Sequence, residues 1–209
     1  MNSKKVAVLD YGMGNLGSVF NMLKYLGFES IVSNKLSDLN KGTHLILPGV
    51  GHFDKAIRNI KRNGYDEFIM RKALDEQRPI LGICLGMQLM CKNSEEGSES
   101  GLNLFDYEVK KFSFPEDTTL KIPHMGWNFI RRDEESVLFK NLDNKSRFYF
   151  VHSFYVHDNN LPYKTSSTSY GIEFISSFNK DNIYGVQFHP EKSHKFGKKL
   201  FTNFLNFDG

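Results

Sequence analysis

With 209 residues, of which 40% are hydrophobic, 24% charged and 14% aromatic, the chain can bury one substantial core, and it reads as one domain over residues 1–209. A formal net charge of +3 is too small to point to nucleic acid, two cysteines are too few for a disulfide framework, and no stretch reaches the ~20 apolar residues of a membrane span. The first strand-like run begins at once, with no signal segment before it, so a cytoplasmic, reducing setting is expected.

Residues 6–9 (Val-Ala-Val-Leu) read as a buried strand and Asp10-Tyr11-Gly12-Met13-Gly14-Asn15 as the turn after it. A helix with Val19, Met22, Leu23 and Leu26 on one face follows, stopped by Gly27. Gly12-Met13-Gly14 after a strand could suggest a dinucleotide fingerprint, but nucleotide binding is not expected here. Residues 30–33 and 43–47 read as two further strands. The second ends in Pro48-Gly49-Val50-Gly51-His52, with a helix from Asp54 onward. Strands alternating with helices predict an α/β fold: a doubly wound, mostly parallel sheet flanked by helices, with ligands at the C-terminal strand ends.

Residues 79–91 organise the rest. Residues 80–83 form a short apolar strand, Gly82 and Gly86 flank Cys84, and Leu85, Leu89 and Met90 open a helical pattern. A side chain on so sharp a strand-to-helix turn is pushed outward, and small neighbours let a substrate approach it. The helix N-terminus favours an anionic sulfur, and the Leu85 N–H points where an oxyanion would form. Gln88, four residues on, shares the helix face of Cys84 and can hold a polar substrate. Cys91 is expected in the same helix as a core residue. Two glycines around Val50 let that peptide turn its N–H toward the site as a second oxyanion donor.

Residues 93–103 read as a polar, exposed loop. From 106 to 154 short alternating segments (107–112, 127–131, 147–151) predict an antiparallel layer added to the parallel core. Residues 182–187 read as a strand, and Ser193 as the cap of a last helix burying Phe196, Leu200, Phe204 and Leu205, with Lys195, Lys198 and Lys199 outside. His189 and Glu191 supply what a thiol nucleophile needs: an imidazole to move its proton and a carboxylate to fix the imidazole's tautomer. No spacing suggests a metal, and no cofactor is expected.

Gly82-Ile83-Cys84-Leu85-Gly86-Met87-Gln88 together with Phe188-His189-Pro190-Glu191 resembles the triad, or class I, glutamine amidotransferases, from end to end of the chain. Within that class Tyr11-Gly12-Met13-Gly14-Asn15, Pro48-Gly49-Val50-Gly51, Pro123-His124-Met125-Gly126-Trp127-Asn128 and His189-Pro190-Glu191-Lys192-Ser193 resemble the glutaminase subunits of imidazole glycerol phosphate synthases. The resemblance implies that Cys84, His189 and Glu191 hydrolyse L-glutamine through a glutamyl thioester, and that ammonia passes to a separate (β/α) barrel synthase (cyclase) subunit in a heterodimer. It implies oxyanion N–H groups from Val50 and Leu85, and glutamine binding by Gly49, Gly51, Gln88, His152 and Ser153. Asn15, His124, Met125, Trp127, Tyr149 and Lys192 are implied at the face toward the barrel. His52, Asn103 and the run Ser193-His194-Lys195-Phe196-Gly197 depart from the commoner pattern; the last resembles paralogues serving surface-sugar pathways. These departures leave the glutaminase motifs whole and bear on the acceptor. Two alternatives stand beside the histidine-pathway reading: a paralogous synthase that amidates a surface-glycan sugar precursor, and a non-catalytic or redox-sensing elbow-cysteine protein, which would need neither His189 nor Glu191.

Overall fold

The computed structural model describes residues 4–207. Five parallel strands form one half of its main sheet: β1 (Lys5–Leu9), β2 (Glu29–Ser33), β3 (His44–Gly49), β4 (Ile80–Cys84) and, from far along the chain, β12 (Ile183–Val186), ordered β2-β1-β3-β4-β12. The middle strands are buried on both faces, which is why they read as unbroken apolar runs. Helices α1 (Leu16–Tyr25), α2 (Leu36–Leu39), α3 (Phe53–Arg62), α4 (Tyr65–Met70), α5 (Leu85–Leu89) and α6 (His194–Leu205) fill the crossovers and the C-terminus. Asn15 starts α1 by accepting the Ser18 N–H, and Gly27, at φ +80°, turns the chain out after it.

The antiparallel layer expected beside the parallel core is present, and most of it continues the main sheet. Strands β5 (Asn93–Ser94), β6 (Glu108–Lys111), β9 (Phe154–Val156), β10 (Lys164–Tyr170) and β11 (Ile172–Lys180) extend the same sheet past β12, with β10 pairing β11 in a hairpin. Among the described strands only β7 (His124–Phe129) and β8 (Arg147–His152) stand apart, as a two-stranded ribbon. The β10–β11 hairpin is absent from the sequence reading because its serines and threonines mask the alternation; Ser166, Thr168, Ser176 and Ser177 are buried in it.

Two cores sandwich the sheet. Leu47, Phe53, Ile57, Phe105, Tyr107 and Phe178 lie on one side; Val8, Ile46, Phe148, Phe150, Phe174, Phe188 and Phe201 lie on the other, where the ribbon and α6 pack. Each fully buried phenylalanine contributes about 1.5–3 kcal/mol.

Three local expectations are corrected. Helix α5 stops at Leu89, so Cys91 lies beyond it rather than inside it, still fully buried. The run expected as an exposed loop opens with a short strand, Asn93–Ser94, and the rest is tethered: Glu96 accepts the Phe53 N–H at 2.8 Å, and Asp54 accepts those of Ser98 and Glu99 at 3.1 and 3.0 Å. Ser193 makes no side-chain cap on α6; its hydroxyl donates to the His189 carbonyl at 2.7 Å and accepts the Tyr149 N–H at 3.0 Å.

Candidate active site

Parallel pairing brings three chain segments to one edge. Gly49 is the register partner of Cys84 across β3–β4, and Val186 that of Ile83 across β12–β4, so the chain leaving β12 enters Gln187-Phe188-His189 beside the sulfur. Cys84 has φ +53° and ψ −109°, a strained turn for a residue with a side chain. Neighbouring packing enforces it. A Cβ on Gly86 would lie 1.8 Å from the Leu47 carbonyl oxygen, and one on Gly82 would lie 2.7 Å from that of Gly86, so α5 can seat on the strands only with glycine at both places.

The turn after β1 supports the neighbouring strand end. The Tyr11 hydroxyl donates to the Pro48 carbonyl at 2.6 Å, and a Cβ on Gly49 would lie 2.5 Å from that hydroxyl. Burial, reinforced by the charge of Cys84, pushes the Tyr11 phenol far up, so it remains a neutral donor. Val50 and Gly51 emerge from this packed base to the surface, Gly51 with φ +124°.

His189 Nδ1 donates to Glu191 Oε1 at 2.7 Å, with both side chains 2% exposed. Burial pushes this imidazole toward neutrality, but the Cys84 sulfur and the Glu191 carboxylate outweigh it and raise its pKa to about 10. The His189 backbone is held at both ends: its N–H donates to Tyr149 O at 2.8 Å and its carbonyl accepts from Ser193.

Cys84 opens into a cavity of about 300 Å³ lined by Val50, Gly51, Leu85, Gln88, Glu96, Pro123 and residues 151–154. That volume suits an amino-acid-sized ligand. Of the residues expected at a glutamine site, Gly51, Gln88, His152 and Ser153 line it, while Gly49 lies in the packed base beneath. Glu96, expected in an exposed loop, is the carboxylate in the wall. Only the Asp54 tether, a contact distant in sequence, could have signalled it. Gln187 is a second omission: fully buried, with its amide nitrogen 3.6 Å from the sulfur.

The six residues expected at the partner face divide. Met125 and Trp127 are exposed on the outer side of β7, next to Phe129. Trp127 stacks on His194 and meets the edge of Tyr149, over which the Lys192 ammonium sits at 5.7 Å. Asn15 is spent capping α1. His124 is a correction: at 2% exposure it turns inward, stacked between Tyr170 and Phe150, with Nδ1 3.0 Å from His152 Nε2. Strand alternation explains it, since His124 is one residue out of phase with Met125 and Trp127.

A thiol on a nucleophile elbow, an imidazole held by a carboxylate and a cavity at the C-terminal strand ends define a hydrolase or transferase of the acyl-thioester kind. The chain belongs to the class-I glutamine amidotransferase family, whose sequence model matches residues 7–207. It is 48% identical over 200 residues, 96% of this chain and 98% of the relative, to the imidazole glycerol phosphate synthase subunit HisH 2 of Methanococcus maripaludis. It is 44% identical over 201 residues, 96% and 98% of the two chains, to subunit HisH 1 of Campylobacter jejuni. A similar fold, at TM-score 0.66 and 15% identity over 98% of this chain and 83% of the other, is found in a glutamine amidotransferase of Thermotoga maritima. No described helix is long and apolar enough to cross a membrane.

Proposed function

We propose that this chain is the glutaminase subunit of an imidazole glycerol phosphate synthase, feeding ammonia to a (β/α) barrel cyclase subunit in histidine biosynthesis. The observation that carries the chemistry is the Cys84 elbow beside the buried His189–Glu191 pair. The similarity to synthase subunits across nearly the whole chain supports the acceptor.

Cys84 sulfur, paired with the His189 imidazolium, attacks the carboxamide carbon of glutamine. The oxyanion that develops meets the N–H groups of Leu85 and Val50. His189 gives its proton to the leaving nitrogen, ammonia departs and a glutamyl thioester remains. Water then attacks that thioester while His189 takes its proton, releasing glutamate. Both Gln88 N–H groups are already spent, on Phe154 O and Gln187 Oε1, so Gln88 presents its oxygen to the ligand, as an acceptor. Glu96 is placed to meet the α-ammonium group. Met125, Trp127, Tyr149 and Lys192 form the docking face for the barrel, one residue from Glu191.

A second reading has its own support. The relatives from Methanococcus maripaludis and Pseudomonas aeruginosa carry the name HisH 2, and that from Campylobacter jejuni HisH 1, numerals that mark more than one such subunit. This chain could then serve a paralogous synthase that amidates a surface-sugar precursor.

Mixing the chain with the cyclase barrel of its own cell, with and without the ribulosyl-formimino nucleotide precursor, separates the readings. Glutamine hydrolysis should rise at least about tenfold when barrel and precursor are both present, about 1.4 kcal/mol of transition-state stabilisation. Cys84→Ser should abolish glutamine-dependent turnover while added ammonium still drives the barrel. Trp127→Ala should weaken assembly by about 2 kcal/mol, and unchanged affinity would remove it from the docking face. Activation by a nucleotide-linked sugar and a paralogous barrel, with no response to the precursor, would select the second reading.

A further inference from the structure

Gln187 takes no part in those steps, yet no water reaches it and its side chain ends on the reacting atom. Its Nε2 lies 3.6 Å from Cys84 Sγ and its Oε1 2.9 Å from Gln88 Nε2. Which end of each amide faces which neighbour decides the chemistry, and a backbone carbonyl settles it. The Phe154 oxygen can only accept, and it lies 3.0 Å from Gln88, so that end of Gln88 is its NH₂ group. The second N–H of the same nitrogen must then meet an oxygen on Gln187, since a nitrogen there would set donor against donor. Gln187 therefore turns its NH₂ group to the sulfur. The position follows from the sheet: Val186 pairs with Ile83, so the next residue of each strand, Gln187 and Cys84, meet just past the sheet edge.

The geometry points to Gln187 as a further catalytic residue, an amide donor to the Cys84 sulfur whose hydrogen bond is strongest when that sulfur is an anion. Charged sulfur occurs twice in the cycle. It is the nucleophile that bonds to the carboxamide carbon, and it is the leaving group when the thioester breaks. In that second step the oxygen of water bonds to the thioester carbon, and His189 takes the water's proton. The carbon–sulfur bond breaks with its electron pair on sulfur, and the glutamate carboxyl loses its own proton to solvent. The thiolate–imidazolium pair is thereby restored, with Gln187 donating to the thiolate. The Val151 carbonyl, 3.9 Å from Sγ, serves the sulfur only while it carries a proton. Gln187 serves it once the proton is gone, and being neutral it does so at any pH. This inference rests on the glutaminase reading above.

The test reads the sulfur directly. Gln187→Met keeps the volume and removes the donor; Gln187→Glu keeps an acceptor for Gln88 but sets oxygen against sulfur. In Gln187→Met, the pH profile of Cys84 alkylation by iodoacetamide, followed by peptide mass, should move up by about one unit, with the rate about tenfold lower on its rising limb. Acid-quenched glutamyl thioester should accumulate during turnover, and Gln187→Glu should be more impaired than Gln187→Met. A side chain that only fills space predicts the reverse order and an unmoved pH profile. Should both variants unfold, wild-type protein labelled with ¹⁵N-glutamine carries the test. The Gln187 side-chain NH₂ resonance should shift along the pH profile of Cys84 alkylation. An unmoved alkylation profile in folded Gln187→Met, or a resonance indifferent to the state of the sulfur, overturns the proposal. Wild-type protein that alkylates normally but never hydrolyses glutamine would instead overturn the glutaminase reading, which the alkylation arms do not need.

Discussion

His189 and the His124–His152 pair lie close to the same cavity, all three nearly sealed from water, and they differ in charge. Burial lowers the pKa of His124 to about 4 and that of His152 to about 3, in the latter case against a hydrogen bond to the Phe154 carbonyl that favours the charged form. Burial acts the same way on His189, but the Cys84 sulfur and Glu191 reverse it. Sealing an imidazole from solvent therefore makes it neutral unless an anion is sealed in with it. The neutral pair is locked in one tautomer by that carbonyl. His152 Nδ1 donates to Phe154 O at 2.7 Å, so its Nε2 accepts from His124 Nδ1–H, and His124 Nε2 is left to accept from Asn128 Nδ2 at 3.3 Å. One site holds a mobile proton; the other holds its protons fixed and shapes the cavity wall.

The contrast breaks most severely at the anion. His189→Ala should cost glutamine turnover about a thousandfold, and Glu191→Gln, which keeps the shape but not the charge, about a hundredfold. Steady-state glutaminase assays of the complex decide the order, and equal small losses would place the base elsewhere. A smaller effect sharpens the other side. An imidazole kept neutral in the fold but protonated when unfolded contributes stability that is whole above the ordinary value of 6.5 and is lost as pH falls through the window toward 4 and 3. Each such histidine steepens the dependence by at most about 1.4 kcal/mol per pH unit. Denaturant titrations of His124→Gln between pH 6.5 and 4 should show a flatter slope than wild type, and an identical slope would mean that His124 is already charged in the fold.

The sequence spoke most clearly where one short segment carries the whole signal. The Cys84 elbow could be read because two glycines bracket one thiol between a strand and a helix, and His189-Pro190-Glu191 because its two functional groups are two residues apart. The parallel strands were equally legible as apolar runs. What stayed hidden depends on pairing between distant segments. Nothing near Glu96 announces that Asp54 will fold its loop over the cavity. Nothing near Gln187 says that it will stop beside Cys84 until β12 is known to pair with β4. His124 shares a motif with the exposed Met125 and Trp127, but its phase in β7 turns it inward. The β10–β11 hairpin failed for a simpler reason: buried serines and threonines look like loop.

The central claim is that Cys84, His189 and Glu191 form a charged unit amid neutral histidines. A ¹⁵N-histidine NMR titration of the folded chain tests it most directly, since imidazole nitrogen shifts separate imidazolium from each neutral tautomer. At pH 7 the His189 ring should be protonated on both nitrogens and titrate near 10, while His124 and His152 are neutral with the proton on Nδ1. In Cys84→Ser the His189 midpoint should fall, and the other two should not move. A His189 ring already neutral at pH 7 in the wild type, or one indifferent to loss of the sulfur, would contradict the account.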